Sequence, residues 1–318
     1  MQTCVTASSK CNSCRYCQWI ENGSDLDECQ DALIYAPEAT RIIRIFGKPK
    51  KREITSDNLV LFKAGRMRKR ARICPQASTL DTATTLGEKR LYKFLRLLDY
   101  MGTAPWANVS FSINTMILHR LTASHLHLIV GKNEFKTAPK TKLYSTICTD
   151  IDLQSCQNLV WVTNRQNGKT STIGRFIAAL AISSPVGGSL ATIYSTSLDR
   201  AVELKKSALA YIQWMTGIGR NDEWGNLKIH LSNYTTFAIQ QGANGAINTV
   251  VARPKNPDSC RGDAPESAWF DEIGFMSENM WYKFAFPLLQ VGQRTFTCCT
   301  TPPPADSFFD VFVKGVQE

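Results

Sequence analysis

The chain has 318 residues, of which 43% are hydrophobic and 20% charged, an ordinary composition for a folded globular protein that argues against wholesale disorder. A formal net charge of +10 and a pI near 9.1 favour an anionic partner, with nucleic acid first among them. No apolar run is long enough to cross a bilayer, so we expect no membrane partner. Eleven cysteines without an apolar secretory leader predict reduced thiols and an intracellular protein.

The first predicted segment, residues 1–40, is a cysteine-bearing leader. It offers four thiolates to Zn²⁺, from Cys11, Cys14, Cys17 and Cys29. Their spacing is not that of two CxxC pairs, so a leader without metal is the alternative.

The second predicted segment, residues 41–145, is a basic N-terminal region. Two clusters, residues 48–52 and 66–72, are typical of nuclear import signals or of contacts with phosphate backbones. Solvated surface is the alternative interpretation of both clusters.

Three further patterns lie in this region. Residues 86–101 carry leucine and phenylalanine at helical spacing and predict an amphipathic helix. Residues 109–130 show no clear periodicity, and we interpret their three histidines as ordinary side chains rather than metal ligands. The polar stretch 132–142 predicts a loop, and we place the boundary of the next domain near residues 140–150.

The third segment, residues 146–318, predicts an α/β domain with a mostly parallel sheet flanked by helices, because strand and helix patterns alternate. A buried strand over 156–163 leads through a turn to Gly168, Lys169 and Thr170, and a helix follows. A glycine that permits close backbone approach, a lysine for β/γ-phosphates and a hydroxyl for Mg²⁺ are what a phosphate-binding loop of the P-loop type needs. The usual first glycine is replaced by Thr163.

Two acids end a later apolar strand, Ala268–Phe270. In P-loop ATPases a carboxylate at this place helps to hold Mg²⁺, and a following glutamate polarises the attacking water. Asp271 and Glu272 fit these two roles. An acidic pair that only caps the next helix is the alternative.

The last strand pattern, residues 294–299, delivers Thr300, Thr301 and Pro302 at its carboxyl end. In an α/β sheet that edge borders the nucleotide crevice. Two hydroxyl groups there could sense the γ-phosphate.

Together, Arg165–Thr170, Arg261-Gly262 ahead of the acidic strand, and Thr300–Pro302 resemble the ATPase motor of large terminase subunits, the DNA-packaging enzymes of tailed phages and herpesviruses. The resemblance covers about residues 156–305. It implies that Lys169 and Thr170 bind ATP and Mg²⁺ and that Asp271 lies on the metal side. It also implies that Glu272 orients the water.

The resemblance implies further roles at the same motifs. Arg165, Gln166, Asn167 and Gly168 would complete the nucleotide-binding loop, with Arg165 stabilising the transition state. Thr300, Thr301 and Pro302 match the motif that couples hydrolysis to movement on DNA.

The resemblance further implies double-stranded DNA, portal and small terminase subunits as partners, and a homo-oligomeric ring on a capsid. We expect the nuclease domain that terminases carry after the motor to be absent. The basic clusters favour the host nucleus, and host cytoplasm is the alternative. Two other functions stay open: a helicase-like nucleic-acid-dependent ATPase, and a non-catalytic basic DNA-binding scaffold.

Overall fold

The computed structural model describes residues 32–35, 40–45, 85–107, 111–137, 158–163, 168–217, 224, 226–254, 264–275, 277–280, 282–283 and 294–315. The cysteines of the leader, the two basic clusters, Arg165, Gln166, Asn167, Arg261 and Gly262 lie outside these ranges.

The described part contains nine strands in one sheet. They are β1 Ala32–Tyr35, β2 Thr40–Ile45, β3 Asn158–Val162, β4 Gly188–Ser195, β5 Leu227–Ser232, β6 Thr236–Gln241, β7 Ile247–Pro254, β8 Ser267–Asp271 and β9 Thr295–Thr300. Their spatial order is β1-β2-β3-β9-β8-β4-β7-β6-β5. Parallel pairing joins, in this order, the strands β2, β3, β9, β8, β4 and β7. Antiparallel strands complete both sides of the sheet. The predicted α/β class with a mostly parallel sheet is confirmed.

Helices flank this sheet. They are α1 Leu86–Met101, α2 Phe111–Ser124, α3 Leu126–Val130, α4 Lys132–Thr137, α5 Lys169–Ser183, α6 Leu198–Gly217, the short α7 Glu278–Met280 and α8 Phe308–Gly315, with a 3₁₀ turn at Ile273–Phe275. None of the helices in the described ranges combines the length and the apolarity that a bilayer crossing needs.

The predicted helix over residues 86–101 is confirmed, and its first turn explains where it starts. Thr85 accepts a hydrogen bond from the Glu88 amide at 3.1 Å, and the Glu88 carboxylate accepts one from the Thr85 amide at 2.9 Å. This reciprocal cap satisfies two amides that the helix itself leaves without partners. The apolar side of α1 then packs against α5.

The predicted loop over residues 132–142 is wrong for its first half, which forms α4. Phe135 lies 6.0 Å from the ring of His127, and Lys132 forms an ion pair with Glu266 at 2.8 Å. These tertiary contacts stabilise a helix that the polar composition of the segment does not indicate. Residues 138–142 lie outside the described ranges.

Residues 109–130 contain two helices that the sequence pattern did not predict. All five residues of α3 are buried, so the helix has no polar side to give a period. His125 and His127 are buried here, in agreement with their interpretation as ordinary interior side chains. After the 3₁₀ turn the structure describes α7, and residues 284–293 lie outside the described ranges.

One hydrophobic core joins α1, α2 and α3 to α5 and the sheet. Leu95 and Leu121 belong to the same buried cluster as Trp161, Phe176 and Trp269. Residues from both sides of the boundary predicted near 140–150 therefore share a core. This core supports the sheet, in which the carboxyl ends of the parallel strands β3, β9, β8 and β4 meet at one edge.

Candidate functional site

The candidate site begins where β3 ends and α5 starts. Gly168 caps α5 with φ of 71°, a left-handed conformation that glycine adopts without the steric cost of a Cβ atom. Lys169 is the first residue of α5 and is only 9% exposed, whereas Thr170 is exposed. The first turn of a helix directs backbone N–H groups along its axis, which makes this end of α5 suited to bind an anion.

Thr163 occupies the position of the usual first glycine and has a structural role. It is fully buried, and its amide donates a hydrogen bond to the Thr300 carbonyl oxygen at 3.0 Å. This bond extends the pairing of β3 with β9 by one residue.

The two acids lie at the carboxyl end of β8, which is separated from β3 by one strand. Asp271 pairs in register with Cys299 of β9, and the Glu272 amide donates to the Cys299 carbonyl oxygen at 2.8 Å. Strand β9 lies between β3 and β8. This order brings Thr300 and Thr301 between the start of α5 and the acids.

Lys169 and Glu272 meet across this edge. The Lys169 Nζ atom lies 3.9 Å from the Glu272 Oε1 atom, and their side chains are 9% and 27% exposed. This distance is longer than that of a hydrogen-bonded ion pair. Two residues that are distant in the sequence thus lie beside each other.

Glu272 is also held by the residues that end β9. Its Oε2 atom accepts hydrogen bonds from the Thr301 amide and the Thr301 hydroxyl, both at 3.0 Å. The Thr300 hydroxyl approaches the same oxygen at 3.4 Å and accepts from the Gly274 amide at 3.0 Å. Pro302 follows as an exposed residue. The carboxylate of Glu272 therefore connects the predicted coupling residues with Lys169.

The backbone of Glu272 is strained. Its φ of 55° lies in the left-handed region, which costs a residue with a Cβ atom about 1 kcal/mol or more. Strain of this kind persists where the surrounding structure enforces it, and it concentrates at functional sites. The hydrogen bonds from Thr301 and the pairing with Cys299 supply that enforcement here.

Cys299 is a member of this cluster that the sequence did not single out. Its thiol donates a hydrogen bond to the Asp271 Oδ1 atom at 3.1 Å. Burial raises the pKa of Asp271, whereas this hydrogen bond and the charge of Lys169 act in the opposite direction. Burial also raises the pKa of the Cys299 thiol well above its ordinary value, so the thiol keeps the proton that it donates. The only available signal was its place one residue before Thr300.

The donor set fits Mg²⁺. Carboxylate and hydroxyl oxygens are ligands that Mg²⁺ prefers, and Asp271 and Thr170 supply them at this edge. Among the described residues no cluster of three or more histidine, cysteine or carboxylate side chains is arranged to hold a metal. Two protein oxygens would be in keeping with a Mg²⁺ that takes its other ligands from nucleotide phosphates and water.

Comparisons with known proteins give matches in structure alone. No protein-family model matches the chain, and no curated protein matches it. The matching structures include a mutant ATPase domain of the Thermus phage P74-26 large terminase, with 15% identity, 48% of this chain and 62% of that chain covered, and a TM-score of 0.40.

Two other phage proteins match at the same level. The large terminase of a second thermophilic bacteriophage has 12% identity, with 63% of this chain and 42% of that chain covered and a TM-score of 0.40. It also matches in its complexes with ADP and with ATP-γ-S. The HK97 bacteriophage large terminase has 13% identity, with 50% of this chain and 32% of that chain covered and a TM-score of 0.39.

The chain spans less than two thirds of the length of each of these three proteins. At these identities and TM-scores the likeness stands as an observation about the fold. Nothing about the activity of this chain is taken from it.

Proposed function

We propose that this protein is an ATP-hydrolysing motor subunit that moves double-stranded DNA, as the ATPase part of a large terminase subunit does during viral genome packaging. The observation that carries the proposal is the meeting of Lys169 with Glu272 at 3.9 Å, at the start of α5 and at the end of β8. A lysine on a helix N-terminus beside a strand-end acidic pair is what phosphoryl transfer to water requires.

Each residue of the site has a proposed task. Lys169 and the first-turn amides of α5 hold the phosphate oxygens, and Thr170 and Asp271 are the protein groups that would hold Mg²⁺. When bound, Mg²⁺ neutralises negative charge on the phosphate oxygens and orients them. Glu272 orients the attacking water and accepts its proton. Arg165, Gln166 and Asn167 complete the loop in this proposal, with Arg165 stabilising the charge of the transition state.

Thr301 gives this proposal its motor component. The carboxylate of Glu272 accepts two hydrogen bonds from Thr301. A change at the γ-phosphate that moves Glu272 would therefore also move the segment after β9. Thr300, Thr301 and Pro302 would in this way couple hydrolysis to movement of the chain on DNA.

Duplex DNA is the proposed partner because of charge. The net charge of +10 supplies the sequence-independent attraction to phosphates that a translocating protein needs. Portal and small terminase subunits, a homo-oligomeric ring on a capsid, and action in the host nucleus belong to the same proposal.

The proposal is tested by ATP hydrolysis with Glu272→Gln. We expect turnover to fall about 10²-fold or more, because a general base contributes about that factor, while nucleotide binding is retained. Lys169→Ala should weaken both binding and turnover.

Glu266→Gln is the matched control. Glu266 precedes the opposite end of β8 and pairs with Lys132, so its loss should leave turnover nearly unchanged. Hydrolysis that is indifferent to both Glu272→Gln and Lys169→Ala would contradict the proposed site. Absence of nucleotide binding by the native chain would favour the non-catalytic scaffold.

A further inference from the structure

A group of aromatic side chains lies beside the N-terminal half of α5. We define the aromatic wall as Trp106, Tyr211 and Trp214. The ring centroid of Trp106 lies 6.1 Å from that of Tyr211 and 6.2 Å from that of Trp214, the latter pair in edge-to-face geometry. Tyr100 stacks on Trp214 with ring centroids 5.2 Å apart. The wall is therefore a packed unit that joins the segment after α1 to the second half of α6.

The wall is linked directly to the phosphate-binding turn. The Tyr211 hydroxyl forms a hydrogen bond with the Ser171 hydroxyl at 2.9 Å, and Ser171 follows Thr170 on α5. Helix geometry of about 3.6 residues per turn separates the directions of Ser171 and Lys169 by about 200°. Because Lys169 points to Glu272, the wall lies on the opposite side of the helix end from the hydrolytic acid.

Close helix packing fixes this arrangement. A Cβ atom at Gly174 would lie 2.4 Å from the Ser207 hydroxyl, so α5 and α6 approach each other there in a way that only glycine allows. On the side of α1, the Arg175 Nε atom donates to the Leu98 carbonyl oxygen at 2.7 Å. These two contacts hold the segment of Trp106 and the helix of Tyr211 against the start of α5.

The members of the wall differ in exposure. Tyr211 is 1% exposed, whereas Trp106 is 48% exposed although it packs against two other aromatic rings. A large flat ring that packs against two other aromatic rings and stays half exposed is suited to stack on another flat ring. Base-on-aromatic stacking contributes substantially to binding and tolerates any base.

We propose that Trp106 stacks on the base of the bound nucleotide, and that Tyr211 and Trp214 are positioning residues that hold its ring. This inference rests on the proposed function, because it extends the same site from the phosphates to the base. The direction of the nucleotide follows: the γ-phosphate lies toward Glu272, and the base lies beyond Ser171 on the side of α6.

The test compares ATP with inorganic tripolyphosphate, which has no base, by isothermal titration calorimetry. Trp106→Ala should weaken ATP binding by about 5- to 100-fold, the range expected for the loss of one stacked base. Tripolyphosphate binding should not change. Trp106→Phe keeps an aromatic ring and should retain most of the ATP affinity.

Tryptophan fluorescence gives a second readout. ATP should change the emission of the native chain, and Trp106→Phe should lose most of that change while it still binds ATP. Tyr234→Ala is the matched control, since Tyr234 is 54% exposed and donates a hydrogen bond to Asp199 at the other end of α6. That variant should bind both ligands as the native chain does.

Four outcomes would overturn the inference. Unchanged ATP affinity in Trp106→Ala would exclude a stacking role. Equal weakening of ATP and tripolyphosphate would show that Trp106 only supports the fold around α5. A native chain that binds neither ligand would contradict the proposed function and this inference together, whereas tripolyphosphate binding with no gain from the base would contradict the inference alone.

Discussion

At the scale of single residues, Glu272 is the point where the site comes together. Its Oε1 atom faces Lys169 at 3.9 Å, and its Oε2 atom accepts the hydrogen bonds of Thr301. The positive φ of 55° is the backbone conformation that allows one side chain to reach both partners while its amide still pairs with β9. A nucleotide that attracts Lys169 would therefore also affect the end of β9, through the contacts of Glu272.

Thr301→Val tests this link. Valine keeps the shape of threonine but removes one of the hydrogen bonds that hold the Glu272 carboxylate. Hydrogen bonds to charged groups contribute about 1.5–3 kcal/mol, so we expect kcat for ATP hydrolysis to fall about 10-fold with KM nearly unchanged. Steady-state kinetics at saturating ATP measures the change.

Thr297→Val is the control on the same strand. Thr297 is buried, and its hydroxyl has no hydrogen-bond partner within the described part of the chain. Its replacement should leave kcat as it is. Equal losses in the two variants would contradict a specific role for Thr301.

Cys299→Ala tests the hydrogen bond from the Cys299 thiol to Asp271, which orients the Asp271 carboxylate. Without the thiol, the Asp271 Oδ1 atom loses a donor at 3.1 Å. Loss of a partner that orients a metal-binding group costs about 10-fold or more in metal affinity, so the Mg²⁺ concentration for half-maximal hydrolysis should rise by about that factor. A Mg²⁺ titration of turnover measures it, and Cys299→Ser should restore most of the affinity.

Cys298→Ala provides the comparison, because successive strand residues face opposite sides of the sheet and Cys298 is equally buried. The Mg²⁺ requirement of this variant should match the native one. A rise as large as that of Cys299→Ala would assign the effect to general loosening of β9.

At the scale of elements, helices with a clear polar side and apolar strands bounded by turn residues could be predicted from the sequence. The helix over 86–101 and the strands from β3 to β9 have apolar spacing or apolar runs with turn residues between them. The helix α3 was missed because all five of its residues are buried, which removes its period. The helix α4 was missed because its stability comes from contacts with residues distant in the sequence.

The residues of the site likewise divide into those that the sequence predicts and those that it does not. The Gly-Lys-Thr segment and the acidic pair carry local patterns, so Lys169, Thr170, Asp271 and Glu272 could be proposed from the sequence. Cys299 and the aromatic wall could not, because their proximity to the site follows from strand order and helix crossing. Neither is encoded in local spacing.

The junction of α2 and α3 gives an element-scale prediction on pH. His125 is fully buried there, stacked 4.9 Å from Trp269, and its Nε2 atom lies 2.8 Å from the Ser267 hydroxyl. Its Nδ1–H donates to the Leu121 carbonyl oxygen at 2.9 Å, so the neutral ring accepts from Ser267. Burial lowers the pKa of His125 from 6.5 to about 3 and that of His119 from 6.5 to about 4.

Because the unfolded chain binds more protons than the folded chain below pH 6.5, the free energy of unfolding should fall as the pH drops from 6.5 toward 4. The expected slope is about 1.4 kcal/mol per pH unit for each histidine. Urea unfolding at pH 7.0 and 5.0 measures it. His125→Gln does not titrate in this range and should show a smaller slope, and identical slopes in both proteins would contradict a buried neutral His125.

At the scale of the whole molecule, one core supports the site from two parts of the sequence. The helices α1 to α3 pack on the same cluster as α5 and the sheet, so they stabilise the edge at which Lys169 and Glu272 meet. The net charge of +10 is the property of the whole chain that favours DNA. Binding through phosphates should weaken steeply as salt concentration rises, and sequence should matter little.

The central claim is that hydrolysis at this edge is tied to duplex DNA. The most direct measurement is ATP turnover with and without linear double-stranded DNA, for the native chain and for Glu272→Gln. We expect turnover to rise when DNA is added, and we expect Glu272→Gln to lose that turnover while nucleotide binding stays intact. Turnover that ignores DNA, or DNA-stimulated turnover that survives in Glu272→Gln, would contradict it.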